Sequence, residues 1–132
     1  MKTLRLLLAC GLLLLAHRVV SAEPLDAASI AFLTQYESIR AALADDKLAT
    51  AQTAAKALPE AKAIAEATSI SGARKAFKVL SARAVTIARG HTGFFIAHCS
   101  MFPGGADWVQ TTDQIANPYW GKSMPRCGEI VK

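Results

Sequence analysis

The chain has 132 residues, 52% of them hydrophobic, and carries 15 Lys and Arg against 10 Asp and Glu, a formal charge of +5. That length is one domain's worth. With a mild positive excess and no basic block, there is no footprint for nucleic acid.

The N-terminus reads as a secretory signal. Lys2 and Arg5 precede an apolar run from Leu6 to Ala16, and Val20-Ser21-Ala22 supplies a small-residue cleavage site. The run is too short to cross a bilayer permanently. Residues 1–22 are therefore expected to be a signal peptide and residues 23–132 a single helical domain, periplasmic or secreted, with no stable membrane span after cleavage. Losing Lys2, Arg5 and Arg18 with the signal leaves 110 residues of net charge +2. Cys10 goes with it, so the mature chain keeps only Cys99 and Cys127, in a compartment where disulfides persist.

From Asp26 to Arg89 the chain is Ala-rich, and its larger apolar residues return at helical spacing. Pro24 and Asp26 signal the start of a first helix, Ile30, Leu33, Tyr36, Ile39 or Ala41, and Leu43 trace its stripe, and Asp45-Asp46 stop it. Asp46 is expected to cap a second segment with Leu48, Ala51, Ala55 and Leu58 inward, until Pro59 interrupts it. Glu60 to Thr68, with Ala61, Ile64 and Ala65 inward, is either a kinked continuation or a third short helix. Ser69 to Gly72 reads as a break. Ala73 to Arg89 is the clearest helix: Phe77, Leu80, Ala84, Ile87 and Ala88 face inward, Arg74, Lys75, Lys78, Arg83 and Arg89 form a solvated face, and Gly90 ends it. The economical arrangement is a small antiparallel helical bundle.

Composition changes at Gly90, where Gly, Pro, aromatics and sulfur replace Ala. Phe94 to His98 suits a strand, with Asp107 to Gln110 as a hairpin partner across Pro103-Gly104-Gly105. Thr112 to Ala116 suits one helical turn, and Asn117-Pro118 starts a turn. The fold class is thus mainly α: a small antiparallel helical bundle with an irregular sulfur-rich tail from about residue 91 that can include a short β-hairpin.

The tail holds the chemistry. Cys99-x-Met101 and Met124-x-x-Cys127 are two soft-sulfur pairs, and thiolate and thioether are the donors that select Cu(I) over hard cations. Residues two apart on an extended segment share a side, so Cys99 and Met101 can serve one point. Met124 and Cys127 can do so across a turn. Trp108, Tyr119 and Trp120 are candidates to shield the site, and Lys122 and Arg126, if near in space, to favour thiolate. His98, beside Cys99 but on the opposite face of an extended segment, is the weaker ligand candidate. Zinc through Cys99, Cys127 and His98 is a lesser variant, since methionine is a poor zinc ligand. The residues leave a rival open: a Cys99–Cys127 disulfide, with both methionines as core fillers. Sequence signatures of an enzyme are missing: no CxxC pair, GxSxG elbow or HExxH.

Cys99-Ser100-Met101, then Trp108, Asn117-Pro118-Tyr119-Trp120-Gly121, Met124 and Cys127-Gly128 resemble the CPM, aromatic, NPYFG, Met and CG pattern of a bacterial family of uncharacterised secreted domains. Members also occur at the C-terminus of periplasmic adaptor subunits of heavy-metal efflux systems. Upstream, Ala42 to Asp46 and Arg74 to Ser81 resemble the family's helical segments more loosely. The resemblance implies a helical domain handling copper or another heavy metal in the periplasm, with a heavy-metal efflux adaptor or other envelope protein as partner and no established enzymatic activity. Ser100 stands where the family has proline, and Trp120 where it has phenylalanine.

Overall fold

The computed structural model describes residues 23–131; the signal-peptide expectation lies outside them. Four helices come first: α1 (Ala27–Ala44), α2 (Leu48–Ala55), α3 (Lys62–Ala65) and α4 (Ile70–Ala88). Three strands follow, β1 (Phe95–Cys99), β2 (Ala106–Gln110) and β3 (Glu129–Ile130), forming an antiparallel sheet in the order β2-β1-β3. The protein is therefore helix-rich but mixed α and β, and the tail is more regular than expected. The hairpin is present, with Phe95 opposite Gln110 and Cys99 opposite Ala106. The added feature is β3, two residues long, which pairs His98 with Glu129. Among the described residues no helix is long and apolar enough to cross a membrane.

Local chemistry sets the helix ends. Asp26 caps α1 by accepting the Ser29 N–H at 2.7 Å, and Ser69 caps α4 by accepting the Gly72 N–H at 3.1 Å. The Ser69 to Gly72 stretch read as a break is thus the cap and first turn of α4. Pro59 opens a 3-10 turn, Pro59–Ala61, that runs directly into the single-turn α3. Gly90, at φ 84°, takes the left-handed conformation that ends α4.

Packing corrects several inward faces. On α1 the buried set is Phe32, Leu33, Tyr36, Ile39, Arg40, Ala42 and Leu43, while Ile30 is 53% exposed. Val85 and Ser81 join the α4 core, and Ile87 is only half-buried. No helical turn forms at Thr112 to Ala116, because the Gln110 side chain satisfies that backbone instead. Its Nε2 donates to the carbonyls of Thr112 (2.6 Å) and Gln114 (2.9 Å), and its Oε1 accepts from Ala116 N–H (3.3 Å) and Trp108 Nε1 (2.8 Å). A buried amide that serves four partners outcompetes one marginal helical turn.

Aromatic rings join the helical half to the tail. Tyr36 stacks on Phe77 at 5.0 Å between centroids, Phe77 meets Tyr119 at 5.7 Å, and Tyr119 meets Phe102 at 4.7 Å and Trp108 at 6.1 Å. The polar ends are satisfied: Tyr36 hydroxyl bonds Ser81 (2.9 Å) and accepts the Val109 N–H (3.1 Å), and Tyr119 hydroxyl donates to the Asp107 carbonyl (2.8 Å). Burial pushes both phenols up, so they stay protonated donors.

A second connection is ionic. Arg74, read from sequence as solvated, turns inward, with a side chain only 12% exposed. Its Nε donates to the Pro118 carbonyl (2.8 Å), and Nη2 to the Leu43 carbonyl (2.9 Å) and Asp46 Oδ1 (2.6 Å). Asp46 does not cap α2; at φ 59° it aims its carboxylate at Arg74 and at the Lys122 N–H (3.2 Å). Lys47, the residue immediately before α2, sits at its N-cap position without a capping side-chain bond. Gly121, at φ 53°, lies so close that a Cβ there would collide with the Asp46 carboxylate and the Arg74 guanidinium. Arg40 adds a further peg, held by Glu37 and donating to the Ala116 carbonyl at 2.9 Å.

Arg74→Ala strands three acceptors at once, and is expected to lower unfolding free energy by roughly 2–3 kcal/mol in chemical denaturation. Gly121→Ala, strained in φ and in space, is expected to cost roughly 2 kcal/mol or more. The Arg74 hydrogen bond holds the Asp46 carboxyl below its ordinary value, against an upward push from burial. Its contribution is therefore complete above the unfolded value of about 4 and lost as pH falls through the lower folded value. Asp46→Asn is expected to flatten the fall of stability over that acidic window, measured as denaturation midpoint against pH.

Candidate metal centre

Cys99 and Cys127, 28 residues apart in sequence, bring their sulfurs to 3.3 Å. Both are free thiols, Cys99 buried and Cys127 half-buried. Cys99 ends the central strand, and Cys127 enters two residues before β3, so pairing of β3 onto β1 delivers one sulfur to the other. Gly128 makes that approach possible. At φ 127°, a Cβ on it would lie 2.7 Å from the His98 carbonyl oxygen and 2.8 Å from the Trp108 ring, closer than real side chains come.

Asn117 holds the Cys127 side of the site. It is fully buried, and its Nδ2 donates to the Cys127 carbonyl at 2.7 Å. Its Oδ1 accepts the N–H groups of Tyr119 (2.7 Å) and Trp120 (3.1 Å), and its own N–H donates to the Pro125 carbonyl (3.0 Å). An Asn-Pro pair is readable as a turn signal; that the same amide would brace the cysteine loop depends on contacts that sequence does not display. The Cys127 N–H completes the turn by donating to the Met124 carbonyl at 3.2 Å.

The two thiols are not equivalent. Burial pushes Cys99 up, but the Cys127 thiol, the backbone N–H groups of Phe102 and Met101, and the Asn117 side chain together hold it below the ordinary thiol value. Cys127 is raised, first because it donates to Cys99, then by burial and by the Cys99 charge. The first thiolate therefore sits on Cys99, with Cys127 as its donor.

The methionines are arranged differently. Met101 occupies the turn after β1 with its side chain 61% exposed, and Met124 is half-buried on the turn that leads to Cys127. The fold thus gathers the two cysteines and places a thioether on each flanking turn. His98 lies elsewhere: its Nδ1 is 2.6 Å from Asp107 Oδ1, and its ring lies against Gly105. Among the described residues no three His, Cys, Asp or Glu side chains form a cluster able to hold a metal ion. Neither Lys122 nor Arg126 contributes to the thiols' shifts: the Lys122 charge acts on Asp45 and Asp46, and Arg126 donates to the Ile115 carbonyl at 2.5 Å. The thiolate is favoured by backbone and amide donors rather than by these cations. Trp108 and Tyr119 are buried beside the sheet, and Trp120 is partly buried.

Compared with protein-family models, curated proteins and solved structures, the chain matches none.

Ultraviolet titration of the reduced protein is expected to show one thiolate forming below the ordinary value near 8.5 and the second above it. Cys127→Ala removes the strongest donor to Cys99, and the remaining thiol is expected to titrate higher than the first step of the parent.

Proposed function

We propose that this protein binds Cu(I) through Cys99 and Cys127, with Met101 and Met124 as supplementary donors, and buffers the ion or delivers it to an efflux partner in the bacterial envelope. The observation that carries the reading is the approach of two reduced thiols from distant parts of the chain to 3.3 Å, one of them biased toward thiolate. Metal–thiolate bonds of about 2.3 Å need the sulfurs to open to roughly 4 Å, a small movement for a half-buried Cys127. Two thiolates and two thioethers form a soft donor set, and buried aromatic surroundings tolerate the low coordination Cu(I) accepts. The tail motif's resemblance to domains fused to heavy-metal efflux adaptors supports the same reading by association. Zinc has less support, because His98 is engaged by Asp107 away from the thiols.

A disulfide-fixed interaction module is the second reading, and the same distance favours it. From 3.3 Å, modest side-chain rotation reaches the 2.05 Å of a covalent bridge. Closing a loop of this size would add about 3–4 kcal/mol on the loop-entropy model.

Titration of reduced protein with Cu(I) against a competing chelator tests the proposal. Cys99→Ser with Cys127→Ser is expected to lower affinity by at least about 100-fold, and Met101→Leu with Met124→Leu by about tenfold. Unchanged affinity in the double serine variant rejects the copper assignment. A quantitative bridge in protein from cells supplied with copper, read by mass spectrometry, favours the disulfide module instead.

A further inference from the structure

A second site lies on the helical side of the tail. A cavity of about 400 Å³ opens between one face of α4, carrying Arg74, Lys75 and Lys78, and a wall formed by Phe102, Tyr119 and Trp120. The α4 residues recur at helical spacing, so their side chains share that face. The volume falls within the range of small-ligand pockets, and an apolar wall with a few polar groups is their usual make-up.

The charge is one-sided. Among the described residues Lys75 and Lys78 have no acidic partner, and no Asp or Glu lines the cavity. Lys78 Nζ has only the neutral Pro103 carbonyl at 3.2 Å and the Phe102 ring, 6.0 Å from its centroid. Arg74 is held by Asp46, Pro118 and Leu43 and its charge is offset by the Asp46 carboxylate, so the unpaired positive charge at the cavity is that of Lys75 and Lys78. On the aromatic side the Trp120 indole lines the cavity, and its Nε1, buried and without a hydrogen-bond partner, gives a resonance sensitive to any change in the ring's surroundings. Two lysines without acidic partners call for an anion, and the ring wall for a flat apolar body.

We propose that this cavity binds a small amphipathic organic anion, a carboxylate on an aromatic or short acyl body, with Lys75 and Lys78 holding the carboxylate and Phe102, Tyr119 and Trp120 covering the apolar part. The site uses neither thiol. It therefore stands or falls apart from copper binding.

The test is titration of ¹⁵N-labelled protein with 2-naphthoate, following the Trp120 indole N–H and the amides of α4, with 2-naphthylmethanol as the uncharged ring and acetate as the ringless anion. Saturable shifts at Trp120 are expected with naphthoate, with the alcohol and acetate each at least about tenfold weaker. Lys75→Gln with Lys78→Gln, at positions outside the core, is expected to keep the fold and weaken naphthoate about fivefold or more, and Phe102→Ala to weaken both ring compounds. The Cys99→Ser, Cys127→Ser variant is expected to bind naphthoate as the parent does. Equal binding of alcohol and acid, indifference to the lysine variant, acetate binding as tightly as naphthoate, or no saturable shift up to the solubility of naphthoate overturns the proposal.

Discussion

The tail of this protein is positioned by one guanidinium. Arg74 sits where α4, the end of α1 and the Asn117–Trp120 turn meet, and it satisfies a backbone carbonyl from each of the last two while pairing with Asp46. A half-buried, planar, multiply donating group fixes direction as well as distance, which a lysine at the same place would not. The contact at Pro118 matters most, since Pro118 follows Asn117, whose amide grips the Cys127 carbonyl. From the helical half to the sulfurs there is thus a continuous chain of short polar contacts. The aromatic series from Tyr36 to Trp108 runs alongside it and supplies the apolar burial.

That arrangement explains why residues so far apart in sequence behave as one unit. Asp46 adopts a positive φ that a non-glycine residue rarely takes, and is held there by Arg74 and by the Lys122 N–H. Gly121 then passes over this pair at a distance that only a missing side chain allows. Gly128 repeats the device at the other end, beside His98 and Trp108, where β3 must close on β1 before the cysteines can meet. Both glycines are spatial requirements as much as conformational ones.

Much of the local structure was legible from residue order. Asp26, Pro59 and Gly90 mark boundaries through their own backbone chemistry, and the β1–β2 hairpin follows from an apolar run, a Pro-Gly-Gly turn and a second run. What was hidden depended on partners remote in sequence. Arg74 and Asp46 look like surface charges until Pro118 and Lys122 are placed against them. Gln110 reads as a strand end and Asn117 as a turn polar until each is found buried, Gln110 supplying the hydrogen bonds that a helical turn at Thr112 to Ala116 would have supplied itself and Asn117 bracing the Cys127 loop. Strand β3 has two residues and no periodicity to read. For the sulfurs, sequence could name candidates but not their distances: the fold unites the cysteines and leaves Met101 on an exposed turn.

The asymmetry of the thiol pair bears on how such a site can load and release an ion. Burial works against a charge on Cys99, but the Cys127 thiol, the backbone N–H groups and the Asn117 amide outweigh it, so the fold favours the thiolate form at Cys99 over Cys127. Cys127 keeps its proton because donating it to that charge is favourable. A metal that binds both sulfurs must displace this proton, and the cost of doing so falls as pH rises toward the Cys127 value. In the proposed site, return of that proton to Cys127 on loss of the ion would restore the hydrogen-bonded pair. In the proposed copper site Cys99, at the end of the central strand, would be the fixed side and Cys127, on its half-buried loop, the side that adjusts, with Met124 three residues before it.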